Sequence, residues 1–287
     1  MTTHTVKTIL AAMDNSQDNS ALFKEALSLA SSLRAQVVVV SITPEYEGNM
    51  NRLFINDANN QLKAPFQEIL READEYANSL GLHLQTIHRI GKPYEEIIAV
   101  AYEEHADIIM LGCAKRLQVE RILSGRNMVE VITHGPCDVL LMPGDKELKF
   151  DRILVGIDGS PASKEAGERA LDLAGSYGSE VHALFVTDIA VDSSLRYGVS
   201  RDAEKKGWVI LKDFIEQGKR RDVSVIASIR GHLIEECLAQ YALEKNIHLT
   251  ILGSQARSLG LDIFCGSVVE RIISLTPCPV LVTKKRI

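Results

Sequence analysis

The chain has 287 residues, 46% of them hydrophobic and 24% charged, with a formal net charge of −6, a size that suits two domains each burying its own core. The acidic balance argues against a general nucleic-acid surface, and no apolar stretch nears the ~20 residues a bilayer crossing needs. Met1 to Lys7 lacks the apolar core of a signal peptide, so a cytoplasmic protein that does not enter the membrane is expected.

Short β-branched runs alternate with helical patterns, which predicts α/β architecture with a parallel sheet covered by helices. In the first half, strands are expected near Thr8–Met13, Gln36–Ile42, His83–Arg89, Asp107–Leu111 and Asp138–Met142. Thr43 to Asn60 is polar and irregular and reads as a lid or a surface excursion. Pro143 to Phe150 forms a linker too short to let two halves roam, since an extended chain gains only ~3.3–3.6 Å per residue. In the second half, an apolar strand over Ile153 to Ile157 meets a turn at Asp158-Gly159-Ser160-Pro161. Ser160 is the expected N-cap and Pro161 the first helical residue. Ala166, Ala170, Leu171 and Ala174 follow at helical spacing. Strands are then expected at Val181–Val186, Val223–Ile229, Leu249–Leu252 and Pro279–Thr283, with helices over Ala203 to Gln217, from Gly231 to Lys245, and from Gly266.

The second half repeats the first. Asp14 after the first strand answers to Asp158, 144 residues on, while Gly112 answers to Gly253 and Pro136 to Pro277, each 141 residues on. Two copies of one site can therefore be compared within a single chain.

In open α/β sheets, ligands settle beyond the carboxyl ends of strands where the strand order reverses. Asp158 stands at such an end. After the fourth strand of its half comes Gly253-Ser254-Gln255-Ala256, then nine residues, then Gly266-Ser267-Val268 opening a helix. Glycines let backbone N–H groups approach an anion, and a helix N-terminus adds unpaired donors and partial positive charge. A serine hydroxyl can join them on a phosphate, while a carboxylate opposite suits a ribose or base. The pattern is a phosphate cradle with a nucleoside handle.

Five alternating strands, an aspartate after the first, and Gly-x-x-Gly-x(9)-Gly-[Ser/Thr] after the fourth resemble the universal stress protein family in its two-domain form. The resemblance covers nearly the whole chain. It implies two doubly wound five-stranded parallel domains, adenine-nucleotide α-hydrolase-like, with strand order 3-2-1-4-5, over residues 1–144 and 150–287. It also implies ATP or AMP, with Mg²⁺ where ATP is held, as the ligand of the second domain. Val186 would line the base pocket, and Gly253, Gly266, Ser267 and Val268 would hold ribose and phosphates.

The second half departs from the pattern at Ala256, where a glycine is expected, and an alanine there penalises φ > 0. The first half departs further, with Lys115 at the second glycine position and Arg126 in place of the serine. That site has either decayed or turned to another anion. Pro136 and Pro277 each lead into a last apolar strand at the sheet edge, which invites pairing. The resemblance implies an internal pseudo-dimer through these strands and allows a further homodimer and an unidentified regulatory protein partner. No activated nucleophile or oriented base stands out, so at most weak ATP hydrolysis is expected.

Competing motifs are missing: there is no Gly-x-x-x-x-Gly-Lys-[Ser/Thr] loop, no Gly-x-Gly-x-x-Gly and no Gly-x-Ser-x-Gly. His83 and His88 fall on opposite faces of an expected strand, and His232 with Glu235 reads as a surface pair rather than a metal site. Trp208 is expected in packing. The five cysteines lack any Cys-x-x-Cys pair, which fits reduced thiols, with Cys137 and Cys278 filling core. Lys219-Arg220-Arg221 and Lys284-Lys285-Arg286 read as solvated charge.

Overall fold

Val37, Val38, Val39 and Val40 are at most 6% exposed, the mark of a strand covered on both faces in a parallel sheet. They lie in β2 (Gln36–Pro44), which pairs in parallel with β1 (Thr8–Met13) and β3 (Gln85–Gly91). The computed structural model describes residues 6–14, 19–45, 58–113, 125–144, 146–187, 197–231, 233–254, 271–272 and 275–284. With β4 (Ile108–Cys113) and β5 (Asp138–Pro143), the first half has the order β3-β2-β1-β4-β5. Its helices are α1 (Asn19–Leu33), α2 (Ala58–Ser79), α3 (Pro93–Glu103) and α4 (Gly125–His134).

The second half repeats this scheme with β6 (Arg152–Gly156), α5 (Pro161–Tyr177), β7 (Glu180–Thr187) and α6 (Tyr197–Arg220). β8 (Val225–Gly231), α7 (Ile234–Glu244), β9 (Leu249–Gly253) and β10 (Val280–Thr283) follow. Its order is β8-β7-β6-β9-β10, the same 3-2-1-4-5 winding. The chain divides into two compact units between Val139 and Leu140, inside β5.

The halves share register as well as order. Met13 pairs with Ser41 and Gly156 with Leu184, so the first and second strands are offset by 28 residues in both halves. Helix placement repeats too. The amide after α1, on Ala35, donates to Ala30, and that on Ser179 after α5 donates to Ala174. At the ends of α2 and α6, Leu82 donates to Ala77 and Val223 to Gly218. These matches align α1 with α5 at 144 residues and α2 with α6 at 141.

Several expectations are corrected. Gly231 does not open a helix: it ends β8, paired with Thr187, because β7 runs one residue past Val186 and the ladder continues with it. α7 starts at Ile234 instead, its first turn carrying Glu235 and Glu236. His83 precedes β3 rather than lying on it. Thr43 and Pro44 end β2 and Ala58 opens α2, so both ends of the expected loop belong to regular elements, and 46–57 lie outside the described residues. Trp208 is not packed away but 38% exposed. Arg221 is not simply solvated, since it pairs with Asp172 at 2.8 Å and with Glu168, both on α5. Cys137 and Cys278 are buried at 9% and 4% exposure, as core filling requires. No described helix is long and apolar enough to cross a membrane.

Candidate functional site

The turn after β6 is built from its own side chains. Asp158 Oδ1 accepts from the backbone N–H of Ser160 at 2.8 Å, and the Asp158 amide donates to Ser163 Oγ at 3.3 Å. Ser160 caps α5 as expected: its Oγ accepts from the Ser163 amide at 3.1 Å, with Pro161 in the first helical turn. Such reciprocal bonds satisfy donors that a helix start leaves without intrahelical partners. Gly159 between them adopts φ +81°, a left-handed conformation that favours glycine. Asp158 is thereby fixed at the carboxyl end of β6 and remains partly exposed.

Register brings the neighbouring strands to it. Continued two places past Gly156–Leu184, the β6–β7 pairing sets Asp158 level with Val186. Continued two places past Val155–Ile251, the β6–β9 pairing sets Ile157 level with Gly253. Three of the residues singled out from sequence, Asp158, Val186 and Gly253, therefore gather at one end of the second half's sheet. They flank the point where its strand order reverses.

Gly253 has a steric reason of its own. A Cβ there would lie 2.5 Å from the carbonyl carbon and oxygen of Ala162, so only glycine lets the end of β9 approach the first turn of α5. Sequence reasoning gave Gly253 a ligand role alone and missed this close approach. Ala256, Gly266, Ser267 and Val268 lie outside the described residues. The segment that follows them is tied down by Arg271, which reaches the buried Glu235 of α7 at 3.1 Å. His232, the expected companion of Glu235, lies outside the described residues, and among those described no cluster could hold a metal ion.

The first half reaches the same end with different side chains. Asp14 is buried at 7% exposure. Among the described residues, a Cβ placed on Gly112 would meet only Leu22 Cδ2, at 3.9 Å. Ser41 donates to the Met13 carbonyl at 3.0 Å, and Thr43 Oγ1 meets His88 Nε2 at 2.8 Å. Burial, followed by the charge of Lys63, lowers the His88 pKa. At the places of Ser41 and His88 the second half has Phe185 and Ile229, which pair across β7 and β8. Lys115 lies outside the described residues, and Arg126 is placed only as a residue of α4.

The buried thiols of Cys113 and Cys278 do not add chemistry here. Cys113, at the end of β4, is buried beside Met128, with sulfur atoms 3.9 Å apart. Burial pushes its pKa up to about 12 and that of Cys278 up to about 11, so neither supplies thiolate near neutral pH.

The family model for universal stress proteins matches residues 5–143 and again 149–284. A universal stress protein of Methanocaldococcus jannaschii is 28% identical over 142 residues, covering 47% of this chain and 83% of its own. One from Mycolicibacterium smegmatis is 26% identical over 217 residues, 75% of this chain and 73% of its own. The crystal structure of a universal stress protein from Archaeoglobus fulgidus shares the fold at a TM-score of 0.75 and 21% identity, across 97% of this chain and 96% of that one. The chain belongs to the universal stress protein family, as a tandem of two of its domains.

Proposed function

We propose that this tandem universal stress protein is a cytoplasmic stress-response protein that binds an adenine nucleotide, ATP or AMP, in its second half. The observation that carries the reading is the gathering of Asp158, Val186 and Gly253 where the strand order reverses, the usual ligand position in open α/β sheets. Asp158 would take the ribose and Val186 the base. Gly253, Ala256, Gly266, Ser267 and Val268 would frame ribose and phosphates, with Mg²⁺ joining when ATP is bound. Among family members, one universal stress protein has been solved in complex with cAMP and one from Arabidopsis thaliana with AMP bound, so adenine nucleotides are the ligands to try first.

Residues 1–144 and 150–287 are proposed as the two functional domains, the first with its nucleotide motif degraded. Their β5 and β10 strands, each last in the order of its half, are proposed to pair as an internal pseudo-dimer. An experimental structure in which the halves touch only through helices would overturn that pairing.

Calorimetric titration of the full chain with ATP and with AMP tests the nucleotide site. One nucleotide per chain, bound much more weakly after Asp158→Ala, is the expected result. Two per chain would show that Lys115 and Arg126 do not disable the first half. No binding at all would favour the nucleotide-free interaction module of the same fold. A slow ATPase would instead show steady product release with Mg²⁺.

A further inference from the structure

Helix α6 reaches the Asp158 turn through the side chain of Ile210. A Cβ on Gly159 would lie 2.9 Å from Ile210 Cδ1, so the left-handed glycine beside Asp158 rests on this isoleucine. The helix is seated closely one turn to either side. At Gly207 a Cβ would lie 2.7 Å from Phe185 Cδ1 and 3.0 Å from Ile229 Cδ1, and Phe214 Cε2 lies 2.7 Å from a Cβ placed on Gly167. Residues three and four apart share a helix face, so Gly207, Ile210 and Phe214 form one inward stripe. Trp208 and Val209, between them, are 38% and 70% exposed. Ile210 is thus held on both sides, and what it backs is the turn that presents the Asp158 carboxylate.

We propose that Ile210 is a positioning residue for Asp158, through which the seat of α6 sets the affinity of the second-half site. The inference rests on the nucleotide reading above and goes beyond it by assigning control of the site to a helix that supplies none of its expected ligand contacts. A residue acting this way has an effect only while Asp158 is there to be positioned, which separates it from a general packing residue.

The test is equilibrium binding of ATP to the full chain and to five variants: Ile210→Val, which deletes the Cδ1 atom, Ile210→Leu, Asp158→Ala, the Ile210→Val/Asp158→Ala double variant, and Val209→Ala as an exposed neighbour. Ile210→Val should weaken ATP by about threefold to tenfold, with Val209→Ala unchanged. In the Asp158→Ala background, where residual binding is followed at higher ATP concentration, Ile210→Val should have no further effect. Ile210→Leu, which keeps a δ-carbon in reach of Gly159, should restore most of the affinity. Unchanged affinity in Ile210→Val, or an equal loss with and without Asp158, would overturn the proposal while leaving the nucleotide reading intact. A parent chain that binds no ATP would overturn the nucleotide reading and this inference with it.

Discussion

Phe214 on α6 occupies the space that Gly167 on α5 leaves open, with its Cε2 2.7 Å from where a Cβ on that glycine would stand. The first half reverses the assignment. At the position of Gly167 stands Phe23, and at the position of Phe214 stands Ala73, buried at 4% and 3% exposure. The same exchange recurs two helical turns away along α6, where Gly207 lies against Phe185, while the corresponding residues of the first half are Phe66 and Ser41. In each pair of positions one half carries the aromatic ring on one partner and the other half on the other, the compensating kind of change that cores tolerate best.

Gly167→Phe alone should overpack the α5–α6 contact and destabilise the chain by about 1–3 kcal/mol. Phe214→Ala alone should cost about 3–5 kcal/mol by opening a cavity. The double variant transplants the first half's arrangement and should recover a large part of the summed loss, as contacting pairs do. Urea unfolding of all four proteins measures this, and strictly additive losses would show that the two positions do not compensate.

The equivalent glycines of the two halves should respond differently to the same methyl group. Gly253→Ala drives a Cβ to 2.5 Å from the Ala162 backbone, which cannot swing aside as a side-chain tip does. It should destabilise the second half by about 1–3 kcal/mol and displace the first turn of α5, taking nucleotide affinity with it. Among the described residues, Gly112→Ala meets only Leu22 Cδ2 at 3.9 Å, and it should be neutral or stabilising by about 0.4–1 kcal/mol through the unfolded chain. Comparable losses from both would show that the strand end, and not the approach of α5, sets the requirement.

What was legible in the sequence was local. Thr8–Met13 could be bounded at both ends because its apolar run stops at a polar turn. The Asp-Gly-Ser-Pro turn carried its own capping chemistry, and the structure shows it. Gly231 was misread because a glycine after a β-branched run looks like an ending, whereas the ladder with Thr187 holds it in the strand. The steric partners of Gly253 and Gly159, at Ala162 and Ile210, lie 91 and 51 residues away. No periodicity reports such contacts. Nor does it report the bond between His182 and Tyr241, which depends on where α7 docks.

That bond predicts a pH dependence. His182 is buried at 3% exposure, with Nε2 2.8 Å from Glu180 Oε1 and Nδ1 3.0 Å from the Tyr241 hydroxyl. An ionised Glu180 accepts from Nε2–H, so Nδ1 accepts from Tyr241, which also lies 3.3 Å from Ser228 Oγ. Burial is the largest influence and lowers the His182 pKa, against the opposing pull of Glu180 and with lesser help from Lys245 and Arg152. A histidine whose folded pKa lies below its unfolded value of about 6.5 binds protons more readily when unfolded. Its contribution is therefore fully present above about pH 6.5 and is lost as pH falls through the folded pKa. His88 shifts in the same direction, so the difference between parent and His182→Gln isolates the effect. The variant should lose less stability than the parent on acidification from pH 7 in urea unfolding. Parallel curves would rule out His182 as a source of acid sensitivity.

The phosphate cradle yields the last prediction. In the proposed site, Ser267 donates a hydrogen bond to a phosphate from a helix N-terminus, and a bond to a charged group is worth about 1.5–3 kcal/mol. Ser267→Ala should then weaken ATP by on the order of tenfold or more, since about 1.4 kcal/mol is one decade. Adenosine, which has no phosphate, should bind the variant and the parent alike. Gly266→Val tests the backbone instead, because a branched Cβ would intrude where the chain must approach the ligand. It should remove ATP binding while the unfolding midpoint of the protein stays near that of the parent. Ala256→Gly runs the other way. If restricted backbone freedom at Ala256 limits the present site, restoring glycine should tighten ATP, and the gain should vanish when Ser267→Ala is added if both act on the same phosphates. Parent-like ATP binding in both Ser267→Ala and Gly266→Val would place the nucleotide elsewhere, and the Asp158 crevice would then be left as an interaction surface rather than a nucleotide site.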